Sequence, residues 1–166
     1  FATLEAVSGE SGLALLEMIE SLIQRQLLRE TGDGEGYDFS HDKVREVVYS
    51  DLSSARRVLL HRAAAVALEQ QSGNRRELAA SLAHHYELGQ VWEKALYYLV
   101  DAADFSRDLF AVRESVQFYD RAITLANRLP NLTQSTTLLD LYMARGEVRA
   151  LLGGQMQEAV ADLKRG

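Results

Sequence analysis

His84-His85 is the densest imidazole pair in the chain, so metal binding is the first chemistry to consider. Adjacent helical side chains point about 100° apart and do not converge on one ion as residues four apart do. No HExxH pattern and no cysteine stands beside them, and the pair reads as helix-packing or groove histidines. His41 and His61 have no nucleophile signal near them and read as structural, capping or hydrogen-bonding residues. The run Gly32-Asp33-Gly34-Glu35-Gly36 lacks the Lys-Ser/Thr end of a phosphate loop, and Asp33, Glu35 and Asp38 lack the spacing and terminal glutamate of a calcium loop. Ser8-Gly9-Glu10-Ser11-Gly12 lacks the preceding apolar strand and the lysine of a nucleotide cradle. The expectation is a chain with no catalytic, cofactor-binding or metal-ligating residues, and hence no enzyme in its own right.

Phosphate contact is the remaining chemistry. Arg56 and Arg57, with Arg25, Arg29, Lys43 and Arg45, are the plausible set, since basic side chains position a protein on DNA without reading bases. Against them, residues 1–62 hold seven basic side chains and eleven acidic ones, and the whole chain carries a net charge of -6. A phosphate backbone demands a concentrated cationic face. Glu17, Glu20, Asp33, Glu35 and Asp38 fall where such a face would lie, so nucleic acid is an unfavourable partner.

The 166 residues suffice for one large or two small domains. Charges interrupt the apolar residues too often for a membrane span, and the N-terminus has neither a basic segment nor a cleavage pattern. Phe1 opens inside an apolar-periodic stretch, which reads as a piece of a longer protein. The absence of cysteine excludes a disulfide framework and fits a reducing compartment, with the cytoplasm as the expected location.

Leu13, Leu16, Ile19, Ile23 and Leu27 recur at spacings of three and four, predicting an amphipathic helix that Ser11 caps and that ends near Arg29. Three glycines then precede Tyr37-Asp38-Phe39-Ser40, whose alternation predicts a hairpin. Ser40 is expected to cap a helix with the stripe Val44, Val47, Val48 and Leu52. Ser53 or Ser54 starts another, from about Ala55 to Gln70, whose Ala63, Ala64, Ala65 and Ala67 permit close packing. Ser72-Gly73-Asn74 breaks the chain and sets a boundary between a domain over 1–72 and a helical array over 73–166.

From Glu77 only helices are expected. Leu78 to Leu88 and Trp92 to Phe105 are joined by Gly89-Gln90, a link short enough to make them antiparallel neighbours. Leu82, Ala83 and Tyr86 stand at the leucine, small and tyrosine positions of the tetratricopeptide (TPR) pattern, and Ala95 and Ala102 at its second-helix small positions. Gly89 falls one place early, and Trp92 takes an aromatic position at the start of the second helix. Ser115, Tyr119 and Ala122 repeat Ala95, Leu99 and Ala102 after twenty residues, too short for a regular period of roughly 34. Pro130 closes a helix ending near Leu129, a long helix is expected from about Gln134 to Leu152, and Met156, Ala159 and Leu163 begin another after Gly153-Gly154. The fold class is thus mainly α; the first part, with its small β-hairpin, resembles a partial winged-helix domain, and an antiparallel TPR-like array follows it.

The order of these elements from about Leu4 to Leu125 resembles the segment that follows the nucleotide-binding module in bacterial signal-transduction ATPases of the STAND class. The strings that carry the resemblance are Leu22 to Leu28, Phe39 to Tyr49, Arg56-Arg57 with Leu60-His61, and His85-Tyr86. The resemblance implies an upstream P-loop ATPase that binds ATP and magnesium, a winged helix that packs on it and helps hold it inactive, and a TPR-like sensor. Outputs in that family include LuxR-type transcription factors, nucleotide cyclases and protein kinases. By the TPR resemblance, Glu77, Ala80, His84 and Glu87 face a partner groove, with Asp140, Met143 and Glu147 as later analogues. The implied partners are the protein's own ATPase module and a protein or small-molecule inducer, with homo-oligomers possible and no membrane. Two alternatives stand beside this reading: a TPR adaptor that gathers proteins, and a DNA-binding winged helix.

Overall fold

The computed structural model describes residues 1–32, 36–71, 75–129, 138–151 and 164. Among these, eight α-helices and one two-stranded antiparallel hairpin make a mainly helical chain. It divides into two compact units, Phe1–Gln71 and Ser72–Gly166.

In the first unit, α1 (Ala2–Ser8) stops at Gly9, whose φ of 71° suits a residue without Cβ and lets its N–H donate to the Glu5 carbonyl at 3.1 Å. Helix α2 (Gly12–Gln24) begins after Ser11, which is the N-cap residue but makes no side-chain cap bond. The helix does not reach Arg29. Gln26 turns left-handed at φ 58°, its N–H donating to the Ile23 carbonyl and that of Leu27 to the Leu22 carbonyl, the paired bonds of a Schellman ending. The freed residues become strand β1 (Leu28–Glu30), which pairs with β2 (Tyr37–Phe39) so that Leu28 opposes Phe39 and Glu30 opposes Tyr37.

The buried face of α2 also departs from expectation: Leu15 and Ile19 are buried, whereas Leu13 is 71% exposed and Leu16 is exposed as well. Ile19 belongs to the expected stripe, and Leu15 to a second one with Met18, Ile19 and Leu22, of which Met18 and Leu22 are exposed. Neither stripe is buried along its length, which periodicity alone does not show.

Helix α3 (Asp42–Asp51) follows His41, not Ser40, as its N-cap residue, again without a side-chain bond. None of its residues is buried, and Val47 and Val48 of the expected stripe are exposed. Helix α4 (Ser54–Gln70) is capped as expected, the Ser53 hydroxyl accepting from the Arg56 N–H at 3.3 Å. It packs on α1 with Ala65 and Ala67 buried, while Ala63 and Ala64 are half-buried.

The second unit is a chain of neighbours: α5 (Arg75–Leu88) packs on α6 (Trp92–Asp108), α6 on α7 (Val112–Arg128), and α7 on α8 (Leu138–Ala150). The twenty-residue recurrence is the period of single helices. Helices α5, α6 and α7 end at Leu88, Asp108 and Arg128. Ala79, Leu99 and Tyr119 are buried at one position, Leu82, Ala102 and Ala122 at a second, and Ala83, Ala103 and Ile123 at a third. Gln90 and Phe110 take the same left-handed place after α5 and α6, at φ 57° and 59°, each within the paired bonds of a Schellman ending. The period does not carry into α8 (Leu138–Ala150): Leu139 and Met143, which would continue it, are exposed, and Leu141, Arg145 and Val148 are buried instead. The expected start near Gln134 and the last helix through Met156, Ala159 and Leu163 lie outside the described residues.

Small side chains let these helices approach closely. Ala79, Ala83, Ala95, Ala103, Ala122 and Ala126 have no exposed surface, so a larger group at any of them would wedge two backbones apart. Around them sit a few large residues. The Tyr86 and Tyr98 rings stack at 5.6 Å, the buried Ser115 hydroxyl donates to the Ala103 carbonyl at 2.8 Å, and Tyr119 donates to Asp104 Oδ1 at 2.6 Å.

Candidate functional site

Helix α5 presents Glu77, Ala80, His84 and Glu87 at spacings of three and four, on one side of the helix. The first three are exposed. Glu87 is half-buried because it accepts an ion-paired hydrogen bond from Arg121, thirty-four residues on in α7. The left-handed turn at Gln90 lets α6 start immediately afterwards, so Glu87 and Trp92 both reach one cleft of about 280 Å³. The cleft's other wall is a single stripe of α7 formed by Asp120, Arg121, Thr124, Leu125 and Arg128.

The charges of this cleft are largely matched by structural partners. Asp120 accepts from Arg145, a buried arginine of α8 whose guanidinium also lies 5.2 Å from the Tyr142 ring centre, and Arg149 stands 3.6 Å from the same carboxylate. A buried guanidinium demands such a carboxylate, since an unmatched charge away from water is costly. The Thr124 hydroxyl donates to the Asp120 carbonyl at 2.8 Å. Arg128 makes no ion pair among the described residues, and the Trp92 indole N–H has no protein partner there.

Of the other groove residues, Asp140, Met143 and Glu147 are exposed on α8. Leu82, Ala83, Tyr86, Ala95, Ala102, Ser115, Tyr119 and Ala122 are buried between helices, whereas Trp92 stands at the edge of the core with one side in the cleft. The α7 residues that build the cleft, and the α8 arginines that pair with them, leave little trace in sequence. Glu87 and Arg121 are 34 positions apart and Asp120 and Arg145 are 25 apart, beyond the reach of any helical spacing rule.

Three titrating groups show how the helices are tied. Burial, reinforced by the Asp104 carboxylate, drives the Tyr119 phenol far above its usual range. The Arg76 guanidinium, bonded to Asp108 at 2.8 Å from α5 to α6, holds the Asp108 carboxyl below its usual range. Burial raises Asp101, against the opposing pull of Arg76 3.8 Å away.

Several of the other chemically suggestive residues make local contacts. His84 and His85 meet edge to face at 5.5 Å, and His61 hydrogen-bonds the Tyr49 hydroxyl at 3.1 Å. No group of three potential metal ligands occurs among the described residues. Of the possible phosphate-binding set, Arg29 pairs with Asp38, Lys43 with Glu46 and Arg45 with Asp42, while Arg57 lies 5.2 Å from the Tyr49 ring centre. No helix among the described residues is long and apolar enough to cross a membrane. Comparisons with protein-family models, with curated proteins and with solved structures found no match.

Proposed function

We propose that this chain is a non-catalytic regulatory and protein-interaction segment of a larger signalling ATPase or transcriptional regulator, in which binding on the α5–α8 array is coupled to the ATPase module. The observation that carries this reading is the cleft at the α5–α6 turn. It opens on the same side of α5 as the exposed Glu77, Ala80 and His84, and its own carboxylates are held by cross-helix arginines. A surface whose charges brace the array offers recognition without a nucleophile or a proton-transfer pair. The resemblance of the first unit to a winged-helix linker supports the rest: a cytoplasmic protein of the STAND type whose upstream module holds ATP and magnesium.

The mechanism is a population shift. A ligand biases the closed and open assemblies only by as much as it prefers one of them. Hydrogen exchange on the full-length protein tests this, comparing the amides of α5–α8 with ADP and with ATP bound. The regulatory reading predicts a nucleotide-dependent change in their protection. Identical exchange in the two states would remove it and leave an adaptor.

A further inference from the structure

The cleft at the α5–α6 turn contains more recognition chemistry than its ion pairs consume. Its carboxylates are engaged, Glu87 by Arg121 and Asp120 by Arg145, and the Thr124 hydroxyl donates within its own helix. What it still offers a ligand is the Arg128 guanidinium, the Trp92 indole N–H and the apolar surface of Trp92 and Leu125. All the uncommitted hydrogen-bonding groups of these two side chains are donors, and one is cationic. The charged residues of the cleft and of its ion pairs, Glu87, Asp120, Arg121, Arg128, Arg145 and Arg149, comprise two acids and four arginines, in a chain whose net charge is -6. The lining itself is balanced, Glu87 and Asp120 against Arg121 and Arg128, and Arg145 and Arg149 reinforce the neutralisation of Asp120, so among the described residues Arg128 is the cation of the lining that faces the apolar wall without an ion pair.

We infer that this cleft binds a small organic monocarboxylate with an aromatic or branched apolar body, the carboxylate on Arg128 and the body against Trp92 and Leu125. A volume of about 280 Å³ lies at the low end of ligand pockets and fits a compact molecule better than a folded partner. A planar guanidinium receives a carboxylate through two parallel hydrogen bonds, and the apolar wall supplies the attraction that a bare anion would lack. The inference rests on the regulatory reading for its purpose, because such an acid would be the inducer that the array receives.

The test uses the 166-residue chain and two probes, 3-phenylpropanoate and 3-phenylpropanamide, with calorimetric titration at low salt. The acid is expected to bind roughly tenfold or more tightly than the amide, as a charge-assisted bond to a guanidinium predicts. Arg128→Gln should remove that preference while leaving the melting temperature of the unliganded chain nearly unchanged, because Arg128 is exposed. Trp92→Leu should weaken both probes. Equal binding of acid and amide, no binding of either, or an undiminished preference in Arg128→Gln would overturn the assignment. Tighter binding of a short peptide ending in phenylalanine would also overturn it, assigning the cleft to a chain terminus. Nucleotide-dependent exchange without acid binding would sink this inference alone, and acid binding without nucleotide linkage would sink only the regulatory reading.

Discussion

Gln90 and Phe110 hold positive φ without being glycine, and Phe110 does so while 86% exposed. An L-residue in that conformation brings Cβ against the following carbonyl at a cost of roughly 1 kcal/mol, which glycine avoids. Gln90→Gly is accordingly expected to raise the denaturant midpoint modestly, the gain being reduced by the greater freedom of glycine in the unfolded chain. A lower midpoint would mean that the glutamine side chain contributes more than its backbone costs. Tyr119 makes the opposite kind of contribution. Its buried hydroxyl donates to Asp104, and Tyr119→Phe should cost about 1–3 kcal/mol in urea unfolding, the range for losing a hydrogen bond to a charged group. The same residue sets an alkaline limit. Its phenol ionises more readily in the unfolded chain, at its ordinary value of 10.0, than in the fold, where it is raised. The stability that the neutral phenol supplies is complete below that value and is lost as pH rises above it. Melting curves between about pH 8 and 11 should therefore fall more steeply for the parent chain than for Tyr119→Phe.

At the scale of elements, the array depends on how closely α5, α6 and α7 approach. Ala95 has no exposed surface and lies in the first turn of α6, where the helix leaves the cleft and enters the core. Ala95→Trp should destabilise the second unit by about 1–3 kcal/mol or more, because overpacking forces backbones apart. An unchanged melting temperature would show that the site accommodates the ring and that the close approach is not what holds α6. The ion pairs between helices are weaker determinants. Arg76–Asp108 and Arg121–Glu87 are partly open to water, and such pairs contribute at most about 1 kcal/mol each. Their significance is geometric: Arg76–Asp108 ties α5 to α6, and Arg121–Glu87 ties α7 to the end of α5 beside the cleft.

At the scale of the whole molecule, the two units have separate sets of buried residues, Leu15, Ile19, Ala65 and Ala67 in the first and the alanine-rich helix contacts in the second. Calorimetry of the whole chain should then resolve a transition that Ala95→Trp lowers and another that it leaves in place; a single transition shifted as one would contradict that separation. Much of this organisation is legible in the sequence, because it depends on local chemistry. Ser53 caps α4, the glycine-rich run precedes β2, and Leu82-Ala83 with Tyr86 mark the buried side of α5. Helix ends at non-glycine residues are less legible: nothing in Gln26 announces that α2 stops before Arg29, since glutamine is an ordinary helix former. The burial of Leu15 and Ile19 while Leu13 and Leu16 stay exposed, and the meeting of Glu87 and Trp92 with the α7 stripe in one cleft, belonged to the tertiary structure. Local spacing by itself determined that the chain is mainly helical, where most helices lie and which small residues pack between them, because capping, periodicity and side-chain size act within a few residues. Only packing decided that Glu87 meets Arg121 and that Asp120 meets Arg145, because an ion pair across 34 or 25 positions exists only once the intervening helices have folded back on one another.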